Sequence, residues 1–192
     1  MAGERVGVLG GTFDPVHIGH LVAALAARHA LALDRVLLVV AADPWQKRGT
    51  VVAPASDRLA MVQAAIEGID GLEASALEIE RGGATYTIDT LCELAAADRE
   101  LFLIVGADVA AGLDGWHRAA EVRKAATLVV VDRDGNPGAG ARPDDAVTVR
   151  IPRLDVSSSD LRARVAAGEP IDVLVPAGVV RVIRERRLYT RS

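Results

Sequence analysis

The chain is predicted to be an α/β protein, a Rossmann-like doubly wound parallel sheet with helices on both faces. Two observations carry that expectation. Short apolar runs without polar alternation recur between helical patterns, as expected of strands buried on both faces. Glycine-containing turns follow the first and fourth runs, at the C-terminal strand ends where open α/β sheets take ligands. The strand runs are Val6 to Leu9, Val36 to Val40, a weaker Leu72 to Ile79, Leu101 to Val105, Leu128 to Val131 and Val147 to Ile151. Helical patterns cover Leu21 to Leu31, Ser56 to Glu67, Ile88 to Ala97, Arg118 to Lys124, Ser158 to Ala167 and Gly178 to Arg186. Ser56-Asp57-Arg58 offers an N-cap start to the second helix, and Gly168 a stop to the fifth. Ala42 to Pro54 and Asp132 to Asp145 read as loops, the second a solvent loop or a crossover.

At 192 residues the chain is read as one domain, 1–192. Hydrophobic residues make up 51% but aromatics only 3%, so Ala, Val and Leu must build the core. A net charge of -4 argues against a general nucleic-acid binder. Cys92 is the single cysteine, so no intrachain disulfide forms, which suits a reducing compartment. Met1-Ala2-Gly3-Glu4-Arg5 has no signal-peptide pattern. No apolar run approaches the ~20 residues of a membrane span. A cytoplasmic protein without a membrane partner is expected. The sequence leaves homo-oligomer formation open.

The most informative segment is Gly10-Gly11-Thr12-Phe13-Asp14-Pro15-Val16-His17-Ile18-Gly19-His20. It joins the first strand to the first helix. Glycines let backbone approach a charged ligand, and a helix start offers N–H groups and the positive end of a dipole. His17 and His20, three apart, share a helix face if both lie in the first turn. The segment lacks the Gly-Lys-Ser/Thr of a Walker loop and the glycine spacing of a dinucleotide fingerprint. A second segment, Val156-Ser157-Ser158-Ser159-Asp160-Leu161-Arg162, opens a later helix. Its serines could simply cap that helix. They could also bind phosphate oxygens, with the planar fork of Arg162 beside them.

His17-Ile18-Gly19-His20 matches the HxGH signature of the nucleotidyltransferase superfamily, and Ser157 to Arg162 resembles that superfamily's serine–arginine signature. The whole chain resembles the bacterial nicotinate-nucleotide adenylyltransferases. Besides these two segments, Arg81 to Leu91 and Gly106-Ala107-Asp108 with Trp116 carry the likeness. The resemblance implies transfer of AMP from ATP to nicotinate mononucleotide, in NAD biosynthesis. ATP would be bound by Gly10, Gly11, Thr12, Phe13, His17, His20, Gly106, Asp108, Ser158, Ser159 and Arg162. His20 would meet the α-phosphate, whose charge favours an imidazolium, with His17, Arg162 and Lys47 supporting the phosphates. Arg48 competes with Lys47 for its place, because Asp43 to Arg48 departs from the family's proline-rich loop. Nicotinate mononucleotide would be held by Thr12, Lys47, Thr85, Tyr86, Trp116 and the backbone N–H of His117. Taken alone, Lys47 reads as a solvated loop lysine, Trp116 as packing and Asp108 as a helix N-cap. Mg²⁺ would come with the ATP phosphates rather than sit in an all-protein site. Ser159 replaces the family's usual Thr and keeps the hydroxyl. The rival readings are the same chemistry on nicotinamide mononucleotide or phosphopantetheine, and a non-catalytic nucleotide-binding regulator.

Overall fold

The computed structural model describes residues 3–43, 52–133 and 145–190. The strands are β1 (Glu4–Gly11), β2 (Arg35–Val40), β3 (Leu72–Ser75), β4 (Arg99–Gly106), β5 (Thr127–Arg133) and β6 (Val147–Ile151). They form one six-stranded parallel sheet in the order β3-β2-β1-β4-β5-β6. The chain order reverses between β1 and β4, the switch point at which doubly wound sheets bind ligands. The helices are α1 (Ile18–Ala30), α2 (Ala55–Ile66), α3 (Leu77–Arg81), α4 (Thr87–Leu94), α5 (Ala107–Ala110), α6 (Ala119–Ala125), α7 (Ser158–Ala167) and α8 (Ala177–Glu185). A short 3₁₀ turn covers Leu113–Gly115. Among the described residues, no helix is long and apolar enough to cross a membrane.

Two compact units compose the chain. The first holds Met1–Gly10, Val22–Leu37 and Tyr86–Leu154. β1, β4 and β5 are buried on both faces: Val6, Val8, Leu103, Ile104, Val129 and Val130 are at most 3% exposed, whereas β6 exposes Val147, Thr148 and Arg150. β1 pairs with β4 from Glu4↔Arg99 to Val8↔Leu103, and β4 with β5 from Phe102↔Thr127 to Gly106↔Val131. This register brings Gly10 and Gly106 to the same, C-terminal edge.

The second unit holds Gly11–Leu21, Leu38–Thr85 and Asp155–Ser192. Its core is built on α2 packed against α8, with Met61, Val62, Val179 and Ile183 buried. Gly178 permits the close approach, since a Cβ there would meet the carbonyl oxygen of Ala64 at 2.6 Å.

Two local expectations are corrected. Leu72 to Ile79 is not one strand: β3 stops at Ser75 and Leu77 opens α3. Short apolar stretches do not distinguish the two states by periodicity. The N-cap of α2 is Pro54, without a side-chain bond, so Ser56 lies inside the helix. Gly168 does end α7, in the left-handed conformation at φ 73°.

Candidate active site

In the second unit, the segment after β1 folds back on itself. Phe13 takes φ 50°, the Asp14–Pro15 peptide is cis, and Phe13 to His17 are buried. His17 precedes α1 rather than lying in its first turn. Its carbonyl accepts the N–H of His20 at 3.0 Å and of Leu21 at 3.4 Å. The two imidazoles nevertheless meet, with centroids 3.8 Å apart and planes 32° apart. Phe13 stands edge-on to His20 at 5.0 Å. A Cβ on Gly19 would come within 3.0 Å of His17 Nδ1 and 3.3 Å of Val156 Cγ1. The glycine between the histidines is what allows the His17 ring its place.

Two donors at the start of α1 have protein acceptors. The N–H of Ile18 donates to the Leu174 carbonyl at 3.1 Å, and that of His17 to His20 Nδ1 at 3.2 Å. The second bond needs a lone pair on Nδ1, which puts the proton of His20 on Nε2. In this arrangement Nε2 is the nitrogen with which His20 can donate to a ligand.

The second motif docks on the backbone of the first. Ser158 Oγ donates to the Pro15 carbonyl at 2.9 Å and Arg162 Nη1 to the Asp14 carbonyl at 2.8 Å. Ser157 caps α7, its hydroxyl accepting from the Asp160 N–H. Ser159 Oγ accepts from Arg162 Nη2 at 3.4 Å. So the motif caps its helix and also faces the glycine segment.

Asp14 and Arg58 were not marked as functional in the sequence. Asp14 is 1% exposed and its carboxylate is held by neutral donors. Oδ2 accepts the N–H of Val52 at 2.8 Å, and Oδ1 accepts the N–H of Ala53 at 3.1 Å and the hydroxyl of Tyr189 at 2.7 Å. Arg162 Nη1 stands 3.8 Å from Oδ2. Arg58, also 1% exposed, donates to the carbonyls of Ala53, Thr12 and Ala42 at 3.1, 2.8 and 3.2 Å. Burial pushes its guanidinium pKa down, against the opposing pull of Asp14 and then Tyr189. The ion remains charged, and its fork ties the glycine segment to the end of β2 and the start of α2. A single buried arginine or aspartate carries no periodic signal, so only the fold reveals them.

Among the described residues, Tyr86, Gly106, Asp108, Trp116 and His117 lie in the first unit and Thr85 in the second. Thr85 Oγ1 accepts from the Asp43 N–H at 3.4 Å. In the first unit, Tyr86 and His117 bring their rings together at 4.4 Å, 37° apart. Trp116 is half-buried and accepts the N–H of Ala119 on its carbonyl. Asp108 is exposed in the first turn of α5, whose N-cap is Gly106, so the capping role does not hold. Lys47 and Arg48 lie outside the described residues, as does most of the loop expected at 132–145.

Residues 8–164 match the cytidylyltransferase-like family. Fold and motifs together thus define a nucleotidyltransferase. The chain is 47% identical over 186 residues to a probable nicotinate-nucleotide adenylyltransferase of Frankia casuarinae, covering 94% of this chain and 98% of that one. It is 43% identical over 185 residues to a protein of the same designation from Streptomyces coelicolor, with the same coverage. Among solved structures, Plasmodium falciparum nicotinic acid mononucleotide adenylyltransferase complexed with NaAD superposes with a TM-score of 0.77 at 15% identity, over 97% of each chain. A putative nicotinate-nucleotide adenylyltransferase from Vibrio parahaemolyticus gives 0.71 at 17% identity, over 98% of this chain and 97% of that one. The chain belongs to the nicotinate-nucleotide adenylyltransferase family.

Proposed function

We propose that the chain transfers AMP from ATP to nicotinate mononucleotide, releasing pyrophosphate and nicotinate adenine dinucleotide. The observation that carries this reading is the docking of Ser158 and Arg162 onto the Pro15 and Asp14 carbonyls, across 143 and 148 residues. It gathers two histidines, an arginine and hydroxyls on one backbone loop, a set of donors suited to polyphosphate. The acceptor phosphate monoester is already anionic near neutrality, its second pKa being about 6. Its oxygen forms the new bond to the α-phosphorus while the bond to pyrophosphate breaks in line. Positioning and charge stabilisation are then what the protein must supply.

In this reading His20 donates to the α-phosphate, and His17, Arg162 and Lys47 support the phosphates. Gly106 and Asp108 recognise ribose. Thr85, Tyr86, Trp116 and the His117 backbone receive the nicotinate. The ring pair of Tyr86 and His117 supports an aromatic ligand there. Mg²⁺ is assigned to the ATP phosphates. Among the described residues no three His, Cys, Asp or Glu are placed to hold a metal, and Asp14 is taken up by N–H and O–H donors. When bound, the ion neutralises charge on the leaving pyrophosphate.

Pyrophosphate release, measured with ATP and each candidate acceptor, tests the proposal. Nicotinate mononucleotide is expected to exceed its amide by at least about 100-fold in kcat/KM, because an amide leaves carboxylate-directed donors unpaired. Equal rates would move the assignment to a broader acceptor. No release with any acceptor would defeat the catalytic reading.

A further inference from the structure

The C-terminal segment reaches the centre of this site by a strained route. After α8, Arg187 takes φ 51° and Tyr189 takes φ 62°, both left-handed and uncommon for side chains of their size. The turn is pinned by the Leu188 N–H on the Ile183 carbonyl at 3.0 Å and by Arg186 on Asp57 of α2. It delivers the Tyr189 ring into the interior, 8% exposed, with its hydroxyl on Asp14 Oδ1 and beside Met61 Sδ. Packing alone would be served by a phenylalanine. The hydroxyl does something more specific.

Asp14 offers Arg162 two acceptors, its main-chain carbonyl and its carboxylate. The guanidinium bonds the carbonyl at 2.8 Å and stays 3.8 Å from the nearer carboxylate oxygen. Arginine–carboxylate pairs frequently close into a bidentate fork. Here Tyr189 and Ala53 occupy Oδ1, and Val52 occupies Oδ2. Three neutral donors hold the carboxylate in orientation, two on Oδ1 and one on Oδ2.

We propose that Tyr189 is a positioning residue for the transfer: its hydroxyl fixes the Asp14 carboxylate and so keeps Arg162 out of a bidentate pair, with its charge directed to the nucleotide phosphates. The proposal rests on the assignment of Arg162 to those phosphates. Loss of the hydroxyl lets the carboxylate turn toward Arg162 and draws the guanidinium inward. The buried hydroxyl is a neutral donor throughout the working range, since burial, then Asp14, hold its pKa far above that of an ordinary phenol.

The test is a double-mutant cycle on the full chain, using Tyr189→Phe and Arg162→Ala. Tyr189→Phe is expected to lower kcat about tenfold, the scale of a small misplacement of a catalytic charge. The KM for nicotinate mononucleotide should hold within about twofold, because the lost positioning acts in the transfer step rather than in binding of that ligand. In the Arg162→Ala background the same change should alter kcat by less than about twofold. Tyr189→Met, which fills the space beside Met61 without a hydroxyl, is the second variant and should give the same split. A lowered melting temperature with wild-type kcat would show a merely structural tyrosine and overturn the proposal. So would an undiminished tenfold loss in the Arg162→Ala background. Wild-type kcat in Arg162→Ala alone would instead overturn the phosphate assignment of Arg162.

Discussion

The main-chain N–H of His17 donates to Nδ1 of His20 at 3.2 Å, so one histidine of the motif sets the tautomer of the other. The bond leaves Nε2 as the protonated nitrogen of His20. The Nε2 side of the ring thereby presents a donor in fixed orientation that needs no reorganisation when charge develops on a phosphate.

His20→Ala should lower kcat about 100-fold or more, the usual loss for one donor at a developing charge. Its melting temperature should stay close to that of the parent. His20→Gln places an amide N–H near the Nε2 position and should retain more activity than His20→Asn, which mimics Nδ1. Nitrogen-15 NMR of the histidines should show Nδ1 of His20 unprotonated and Nε2 protonated. The reverse tautomer, or near-normal turnover in His20→Ala, sinks the assignment.

Gly19→Ala adds a methyl 3.0 Å from His17 Nδ1 and 3.1 Å from Cε1. The His17 ring is 5% exposed and has little room to yield. Overpacking of this kind costs about 1–3 kcal/mol, and the displaced ring should carry His20 with it. Urea unfolding and kcat should both fall. A fully active, fully stable Gly19→Ala would show that the histidine stack is not set by this contact.

Arg58→Ala should destabilise the fold by about 3–5 kcal/mol, because three carbonyls lose their buried donor and the Asp14 charge loses a neighbour. Arg58→Lys should recover less than half of that, since one ammonium cannot span Thr12, Ala42 and Ala53 as the guanidinium fork does. Chemical denaturation measures both. A loss under about 1 kcal/mol in the alanine variant would refute the clamp.

Tyr189 predicts an alkaline signature. Burial first, then its bond to and the charge of Asp14, raise the folded-state pKa above the phenol range. The unfolded chain gives up this proton above about pH 10 while the folded chain keeps it. The stabilisation is therefore fully present below about pH 10 and lost as pH rises beyond it, at about 1.4 kcal/mol per unit. Tyr189→Phe should lack that component. Parallel pH dependences of the two proteins between pH 9 and 11 would contradict it.

Much of the fold was legible because the relevant signals are local. Apolar, unalternating runs located β1, β2, β4 and β5, and the alternating Val147-Thr148-Val149-Arg150-Ile151 gave β6 its expected span. The ambiguity at Leu77 to Arg81 arose because Leu77 and Ile79 satisfy either period over so few residues. The serine–arginine motif declared its residues but not its partners.

By itself, the sequence determined the order of the six strands and of the helices other than the short α3 and α5, the two signature segments and the nucleotidyl-transfer class they imply. Each depends on residue types at short, fixed spacings. The tertiary structure alone decided that Ser158 and Arg162 rest on the carbonyls of Pro15 and Asp14. It also decided that His17 sits before its helix, and that Arg58, Asp14 and Tyr189 form the support beneath. Those relationships join residues up to 175 positions apart. Burial makes their hydrogen bonds obligatory, and no spacing in the chain records which distant group will satisfy them.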